Sequence, residues 1–322
     1  MNQPVMTQMA EQPYYPDDEI DLRELFATLW QGKWIIILFT IVFAAAGVFY
    51  ALSKPNIYQA NVLLAPAQEE GGGGGLSGQL GGLAGLAGIS LGGGSASQTV
   101  MAKEVLQSRA FLTDFIHRHN LTVPLMATES WDIEKQEWVI NKEVYNPDSR
   151  EWLTDDKGEN LKPTDWDMVK AFKEHLSVSS NDETGMVTVS IKSQSPPVAK
   201  DWATKLVHDI NEHMREQDVK EAEARIAYLE QKLSETNIAG MQQVFYQLIE
   251  SETRTVMLAN AQDEYVFKTV DPAVVPQEKS EPKRALIAVV ATMLGGMLGV
   301  FTVFVVAFVR SGREETPEKV EK

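Results

Sequence analysis

Two stretches of the chain carry no charged residue and are long enough to cross a membrane as helices. They are residues 34–53, which number 20, and residues 285–309, which number 25. At about 1.5 Å per residue such helices would span about 30 and 37 Å, and the hydrocarbon core of a bilayer is about 30 Å thick. The sequence therefore predicts two transmembrane helices, with a domain of 231 residues (54–284) between them.

The segments outside the two stretches indicate how the chain is oriented. Residues 1–33 contain six acidic side chains, whereas a cleaved signal peptide begins with a short basic segment. We therefore expect the first helix to be retained, which places the tails 1–33 and 310–322 on one side of the membrane. Basic residues flank the helices almost equally on both sides, so the charge pattern favours cytoplasmic tails only weakly. We expect the 13-residue C-terminal tail to be too short for a kinase or signalling domain.

Composition and spacing argue against several chemistries. The chain has no cysteine, which excludes disulfides and thiolate metal sites, and its net charge of −16 disfavours nucleic acid. No nucleophile elbow, phosphate loop or kinase motif is present. The five histidines lack the spacing of metal ligands; they are His117, His119, His175, His208 and His213. We expect no catalytic residue, no cofactor and no metal site.

The domain between the membrane helices combines strand and helix patterns. Alternating apolar residues predict strands near 58–64, 176–180, 187–191 and 265–270, with a turn at 181–185. Helical spacing occurs at 98–119 and at 165–175, the second with Thr164 as N-cap. The fold class we predict is an α+β membrane protein in which an α/β base, about 54–195 and 263–275, lies between two transmembrane helices.

A long helical hairpin is predicted at about 197–262. Apolar residues recur at steps of three and four over 198–236 without a helix breaker, a length of about 58 Å. Such a helix exceeds what a small base can cover, so it should protrude and pack on another copy of the chain. A second helix at about 241–262 would return the chain to the base. Two short bundle helices are the alternative.

Two segments of the domain allow more than one interpretation. The glycine-rich loop 71–94 is either a plain linker or, because leucines interrupt it, a contact with a neighbouring subunit or the membrane. Four tryptophans cluster in the sequence and either stack on sugars or pack in the protein. They are Trp131, Trp138, Trp152 and Trp166.

Both membrane helices carry small residues at steps of three and four, which lets helix backbones approach closely. The alternative is that glycine and alanine are simply common in membrane helices. The residues are Thr40, Ala44, Gly47 and Ala51 in the first helix, and Ala288, Thr292, Gly295 and Gly299 in the second.

The end of the domain and the second helix resemble a known signature. The segment DPAVVPQEKSEPKRALIAVVATMLGGMLGV is similar to the proline-rich segment and the Pro-Lys-x₁₁-GGMxG motif of the Wzz-type O-antigen chain-length determinants, which are polysaccharide co-polymerases. The stretches EIDLRELFATLWQGKW and ETGMVTVSIKSQSPPVAKDW also resemble the family. The motif positions are Pro272, Pro276, Pro282, Lys283, Gly295, Gly296, Met297 and Gly299.

The resemblance implies a multi-pass inner-membrane protein with both termini in the cytoplasm and a large periplasmic domain. It implies a closed ring of its own copies, such as an octamer, that regulates lipopolysaccharide chain length with a Wzy-type polymerase and contacts nascent polysaccharide. It also implies no activity as an enzyme. The proline-rich segment 272–284 would form a stalk between the base and the bilayer. Gly295 and Gly299 would set close packing between the membrane helices or against the polymerase. Alternatives are a regulator of another glycan, such as enterobacterial common antigen or exopolysaccharide, and a periplasmic export adaptor or sensor.

Overall fold

The computed structural model describes residues 22–67 and 94–314. The chain divides into two compact units. The first, here the membrane unit, comprises the chain up to Lys54 and from Lys283 onward, and the second, here the intervening domain, comprises Pro55–Pro282. All but the last residue of the glycine-rich loop 71–94 lie outside the described residues, so both interpretations of it stay open.

Three helices form the described part of the membrane unit: α1 (Leu22–Gln31), α2 (Lys33–Ser53) and α9 (Arg284–Glu314). Helix α2 and residues Arg284–Arg310 of α9 are long and apolar enough to cross a membrane, with mean hydropathies of 2.6 and 2.3. Only 11 % and 17 % of their most apolar windows are buried. Since a soluble core helix would be mostly buried, this outward apolar surface fits lipid as the surroundings. The two expected transmembrane helices are confirmed.

The intervening domain combines helices with short strands. In chain order its elements are β1 (Tyr58–Pro66), α3 (Gly94–Leu106), α4 (Arg109–Arg118), α5 (Thr122–Met126), β2 (Thr128–Asp132), β3 (Glu137–Ile140), β4 (Tyr145–Asn146), β5 (Glu151–Trp152), α6 (Asp165–His175), β6 (Leu176–Ser180), β7 (Val187–Ser193), α7 (Pro196–Glu235), α8 (Ala239–Asn260) and β8 (Phe267–Asp271).

A four-stranded sheet organises the domain, with the order β6-β7-β1-β8 and every neighbouring pair antiparallel. In β1 the alternate residues Ala60, Val62 and Leu64 are buried, as their spacing indicated. Val62 lies opposite Val189 of β7. Because β1 follows the first membrane helix and β8 precedes the second, the chain enters and leaves the domain through two neighbouring strands, the central β1 and the edge strand β8.

The expected turn at 181–185 joins β6 to β7. The side-chain Oδ1 of Asn181 accepts hydrogen bonds from the backbone N–H groups of Glu183 and Thr184. Gly185 has a φ of +69° and donates to the Asn181 carbonyl at 2.8 Å. Glycine suits this position because a left-handed backbone brings no Cβ clash there.

The helical pattern at 98–119 corresponds to two helices, because α3 ends at Leu106 and α4 begins at Arg109. Ser108 between them is extended, with φ −71° and ψ 148°, and its hydroxyl accepts from the Phe111 N–H. A serine that caps a new helix in this way cannot also continue the preceding one.

Helix α7 is unbroken over 40 residues, which confirms the long helix and rules out two short bundle helices. Ser195 caps its start by accepting from the Val198 N–H, and two prolines follow. Nearly all of its buried residues lie between Ala199 and Met214, where it covers the sheet, and beyond Met214 only Ala222 is buried. The second half of α7 and the antiparallel helix α8 form the expected hairpin, called the hairpin below.

Helix α6 begins with the expected cap at Thr164, and the cap is reciprocal. The Thr164 hydroxyl accepts from the Asp167 N–H, and the Asp167 carboxylate accepts from the Thr164 N–H and hydroxyl. The Thr164 hydroxyl, and then its backbone N–H, hold the pKa of Asp167 below its usual value. Because the pKa is lowered, the stabilisation by the ionised Asp167 carboxylate is complete above pH 3.8. It is lost as the pH falls through the pKa that Asp167 has in the folded protein.

Replacing Thr164 with alanine is expected to lower the free energy of unfolding by about 1 kcal/mol, because an N-cap acceptor is lost. Thermal unfolding followed by circular dichroism measures the change. Thr204→Ala is the matched control, since its hydroxyl bonds only to the Lys200 carbonyl on an exposed turn of α7. An equal loss in both variants would contradict the capping role.

Candidate functional site: a glycine-packed helix pair

Two motif glycines of α9, Gly295 and Gly299, lie directly against the backbone of α2. A Cβ atom built on Gly295 would lie 2.7 Å from Phe43 Cβ and 2.9 Å from the Phe39 carbonyl oxygen. One built on Gly299 would lie 2.8 Å from Ile36 Cα. Cβ atoms are almost never found so close to backbone, so only glycine fits either position without moving a helix.

Two contacts outside the motif extend this packing along the helices. A Cβ on Gly47 of α2 would collide with Ala291 Cβ, and a Cβ on Gly32, between α1 and α2, would collide with Val303. Glycines on both helices therefore fill one seam, here called the glycine seam. The hydroxyls of Thr40 and Thr292 bond to carbonyls of their own helices, at 2.8 and 2.7 Å, which satisfies them in an apolar environment.

The other two residues of the GGMxG motif have different surroundings. A Cβ on Gly296 would meet only Thr40 Oγ1, at 3.7 Å, which is an ordinary contact. Met297 is 68 % exposed. The motif thus places Gly295 and Gly299, which belong to the spacing of three and four residues, in the seam and directs Met297 outward.

The proline-containing segment that follows β8 has no helix or strand between Pro272 and Lys279. Its end is held by Ile57, the residue before β1, because the Ser280 N–H donates to the Ile57 carbonyl at 2.8 Å and Glu281 forms an isolated bridge with Ile57. The Glu281 carboxylate also pairs with Lys192 of β7. Proline cannot continue a ladder or a helix interior, so this segment remains irregular until Arg284 starts α9.

One cluster of titratable groups has the composition of a metal site: His208, Asp209 and Glu212 on α7 lie close together. Asp209 is buried, and its carboxylate contacts His119 Nε2 at 2.9 Å. The Arg118 guanidinium lies 3.7 Å from the carboxylates of both Asp209 and Glu212. Since a fixed cation already compensates the two carboxylates, we interpret the cluster as a link between α4 and α7.

The four tryptophans do not form one surface patch. Trp131 and Trp138 make an edge-to-face pair across β2 and β3, with ring centroids 5.1 Å apart, and Trp152 pairs in the same way with Tyr145 at 5.2 Å. Such cross-strand pairs stabilise short ribbons. Trp166 is 65 % exposed, with the Arg109 guanidinium 6.0 Å from its ring. Packing thus accounts for the first three, and Trp166 keeps a free surface.

Sequence reasoning missed the residues of α2 that receive the glycines, namely Ile36, Phe39 and Phe43, and it missed Gly32. The large residues carry no signal, because bulky apolar side chains occur throughout a membrane helix. Phe39 lies three residues from Ile36 and four from Phe43, and this spacing could have indicated that the three share one face.

The chain matches two family models. Residues 18–119 match the model of Wzz, described as "Chain length determinant protein", and residues 234–308 match GNVR, described as "G-rich domain on putative tyrosine kinase". The first match contains α1, α2, β1, α3 and α4, and the second contains α8, β8 and the glycines of the motif. A comparison with curated proteins gave no match.

Two solved structures are similar to the chain at low identity. A full-length bacterial polysaccharide co-polymerase shares 14 % identity at a TM-score of 0.37, over 91 % of this chain and 99 % of that one. A fragment of WzzB, a polysaccharide co-polymerase from Salmonella Typhimurium, shares 11 % identity at a TM-score of 0.25, over 70 % of this chain and 100 % of that one. The family assignment rests on the sequence matches.

Two transmembrane helices that enclose a mixed α and β domain in the sequence, and that pack through glycines, define a two-span membrane protein. The two matched regions lie on either side of most of that domain. The chain carries a chain length determinant domain over residues 18–119 and a GNVR domain over residues 234–308, in agreement with the family resemblance of its sequence motifs.

Proposed function

We propose that this protein regulates the chain length of O-antigen polysaccharide in lipopolysaccharide, as an oligomeric co-polymerase that acts with a Wzy-type polymerase. The observation that carries the proposal is the match of residues 18–119 to chain length determinant proteins. The protein itself is not an enzyme in this proposal. It controls how many repeat units the polymerase joins, and nascent polysaccharide is a further partner.

The proposed arrangement places residues 34–53 and 285–309 in the cell inner membrane, with 54–284 in the periplasm and the tails 1–33 and 310–322 in the cytoplasm. Residues 272–284 form the stalk before the second helix. The two transmembrane helices support this arrangement, since an even number of spans places both tails on the same side.

In this proposal the motif residues catalyse no reaction and act through the packing of the membrane helices. Gly295 and Gly299 hold α9 against α2, and the exposed Met297 is available to a polymerase helix in the bilayer. The prolines Pro272, Pro276 and Pro282 stop regular structure before α9 begins. Chain-length control would then depend on how firmly the membrane helices are paired.

The hairpin is the proposed contact between copies in a closed ring. An apolar groove runs along it between α7 and α8, lined by Ala224, Tyr228, Leu229 and Leu248. The Arg225–Glu252 ion pair, at 3.0 Å, joins the two helices at the same level. Tyr228 and Leu248 are exposed in the single chain, and a second copy would cover their apolar surface.

Leu248→Glu is expected to shift the full-length protein in detergent from large oligomers to smaller species, because a charge would be buried at the contact between copies. Native mass spectrometry measures the distribution. Gln247→Glu is the control, since it adds the same charge at the neighbouring exposed position. If both variants gave the same distribution of oligomers, the hairpin would not be the contact between copies.

Deleting the gene and separating the lipopolysaccharide on a gel tests the proposed function. Loss of a modal cluster of chain lengths is the expected result. An unchanged lipopolysaccharide profile with an altered length of enterobacterial common antigen or exopolysaccharide would move the same activity to another glycan. No change in any surface glycan would favour an export adaptor or a sensor.

A further inference from the structure

Three cations lie where the two transmembrane helices meet the intervening chain. Helix α2 ends at Ser53 and Lys54 follows it, while Lys283 precedes α9 and Arg284 begins it. The Arg284 Nε donates to the Ala51 carbonyl at 3.2 Å, so the first residue of α9 contacts the last turn of α2. We call Lys54, Lys283 and Arg284 the cationic collar.

The membrane unit has no acidic residue close to the collar in sequence. Its sequence has no Asp or Glu between 25 and 54 or between 283 and 313. Lys54 and Lys283 are exposed, and neither forms an ion pair within the described residues. The Lys54 ammonium lies over the ring of Tyr50, 5.1 Å from the ring centroid.

Packing explains the glycines of the Pro-Lys-x₁₁-GGMxG motif but not its lysine. Gly295 and Gly299 fill the seam, whereas Lys283 points to solvent in the described structure. A charge at the end of an apolar helix lies at headgroup depth once the helix spans a bilayer, and the tyrosine ring at the same end of α2 is typical of that depth. What meets Lys283 there is a phosphate-bearing surface.

We propose that the cationic collar binds the phosphate headgroups of anionic lipids. Arg284, held by the Ala51 carbonyl, contributes a fixed positive charge, and the exposed Lys54 and Lys283 contribute two mobile ammonium groups that can meet a phosphate. Three cations beside a low-dielectric core attract an anionic headgroup more strongly than a zwitterionic one. The site needs only that the helices span a membrane, and it is independent of chain-length control.

Lipid retention by the full chain tests the proposal. The protein is reconstituted in nanodiscs of phosphatidylglycerol and phosphatidylcholine, and native mass spectrometry counts the lipids that each protein retains. Lys54→Gln with Lys283→Gln is expected to lower the preference for phosphatidylglycerol by about 25-fold, or about fivefold for each charge removed. Lys173→Gln with Lys200→Gln removes two exposed charges from the intervening domain and should change nothing.

Two further experiments distinguish lipid phosphate from free phosphate, and a loss of charge from a loss of fold. Inorganic phosphate added in excess should leave the bound phosphatidylglycerol in place, and its displacement by phosphate would show a free-anion site instead. Arg284→Lys, which keeps the charge, should retain most of the preference while helical content by circular dichroism stays the same. Equal phosphatidylglycerol retention by the double variant and the wild type would overturn the proposal.

Discussion

Replacing Gly295 with leucine is expected to separate α2 from α9 and to abolish normal chain-length control, while the intervening domain still folds. Already the first side-chain atom would lie 2.7 Å from Phe43 Cβ and 2.9 Å from a backbone oxygen. Backbone cannot rotate away as a flexible side chain can, so the helices must move apart. Overpacking of this kind costs about 1–3 kcal/mol. Gly299→Leu should act in the same way.

Neighbouring glycines in the motif provide the control for this prediction. Gly295→Ala and Gly296→Ala add the same methyl group one residue apart, but the methyl on Gly296 would meet only Thr40 Oγ1 at 3.7 Å. Only the Gly295 substitution should therefore widen the seam. Equal effects of the two alanines would show that helix propensity, and not packing, decides the outcome.

Helix separation can be measured directly because the chain has no cysteine of its own. Spin labels attached at Val48→Cys and Val290→Cys, both at exposed positions, report the distance between α2 and α9. A longer or broader distance distribution is expected in Gly295→Leu. An unchanged distribution would contradict the glycine seam as the element that holds the pair.

The second large effect is expected at Asn211, a buried residue of α7 that fastens β8. Its Oδ1 accepts from the backbone N–H groups of Val266 and Phe267, at 2.9 and 2.8 Å. Its Nδ2 donates to the carbonyls of Phe267 and Val207, at 3.1 and 3.2 Å. The amide therefore satisfies both its acceptor and its donor capacity without water.

Asn211→Ala is expected to lower the free energy of unfolding of the domain by about 3 kcal/mol, because buried backbone groups of the strand would lose their partners. Amide hydrogen exchange at Val266 and Phe267 should accelerate most. Asn260→Ala, at the exposed end of α8, is the control and should change little. Exchange that accelerates equally throughout the domain would contradict a specific fastening of β8.

Local patterns predicted most elements of the fold because their causes are local. The alternation of Ala60, Val62 and Leu64 marks one face of a strand, and Thr164 with Asp167 marks a helix start, within a few residues of sequence. The break at Ser108 was missed because an apolar repeat continues through it, and only the backbone conformation reveals the cap. The clamp by Asn211 on β8 joins residues 56 positions apart, which no local pattern reports.

The site was predictable in kind but not in detail. Small residues at steps of three and four predicted a close helix approach, and the structure has one. The spacing selects Gly295 and Gly299 and leaves out Gly296 and Met297, but it does not show which residues of α2 they meet. Those residues are Ile36, Phe39 and Phe43, whose bulky side chains resemble the other large apolar residues of the helix.

The most direct test of chain-length control is the distribution of O-antigen lengths in a strain that lacks only this protein and receives it back on a plasmid. We expect the deletion to replace a modal cluster with a broad distribution of lengths. The wild-type chain and Gly296→Ala should restore the cluster, and Gly295→Leu, at equal membrane abundance, should not. A distribution that stays the same with and without the protein would contradict its role as a chain length determinant for O antigen.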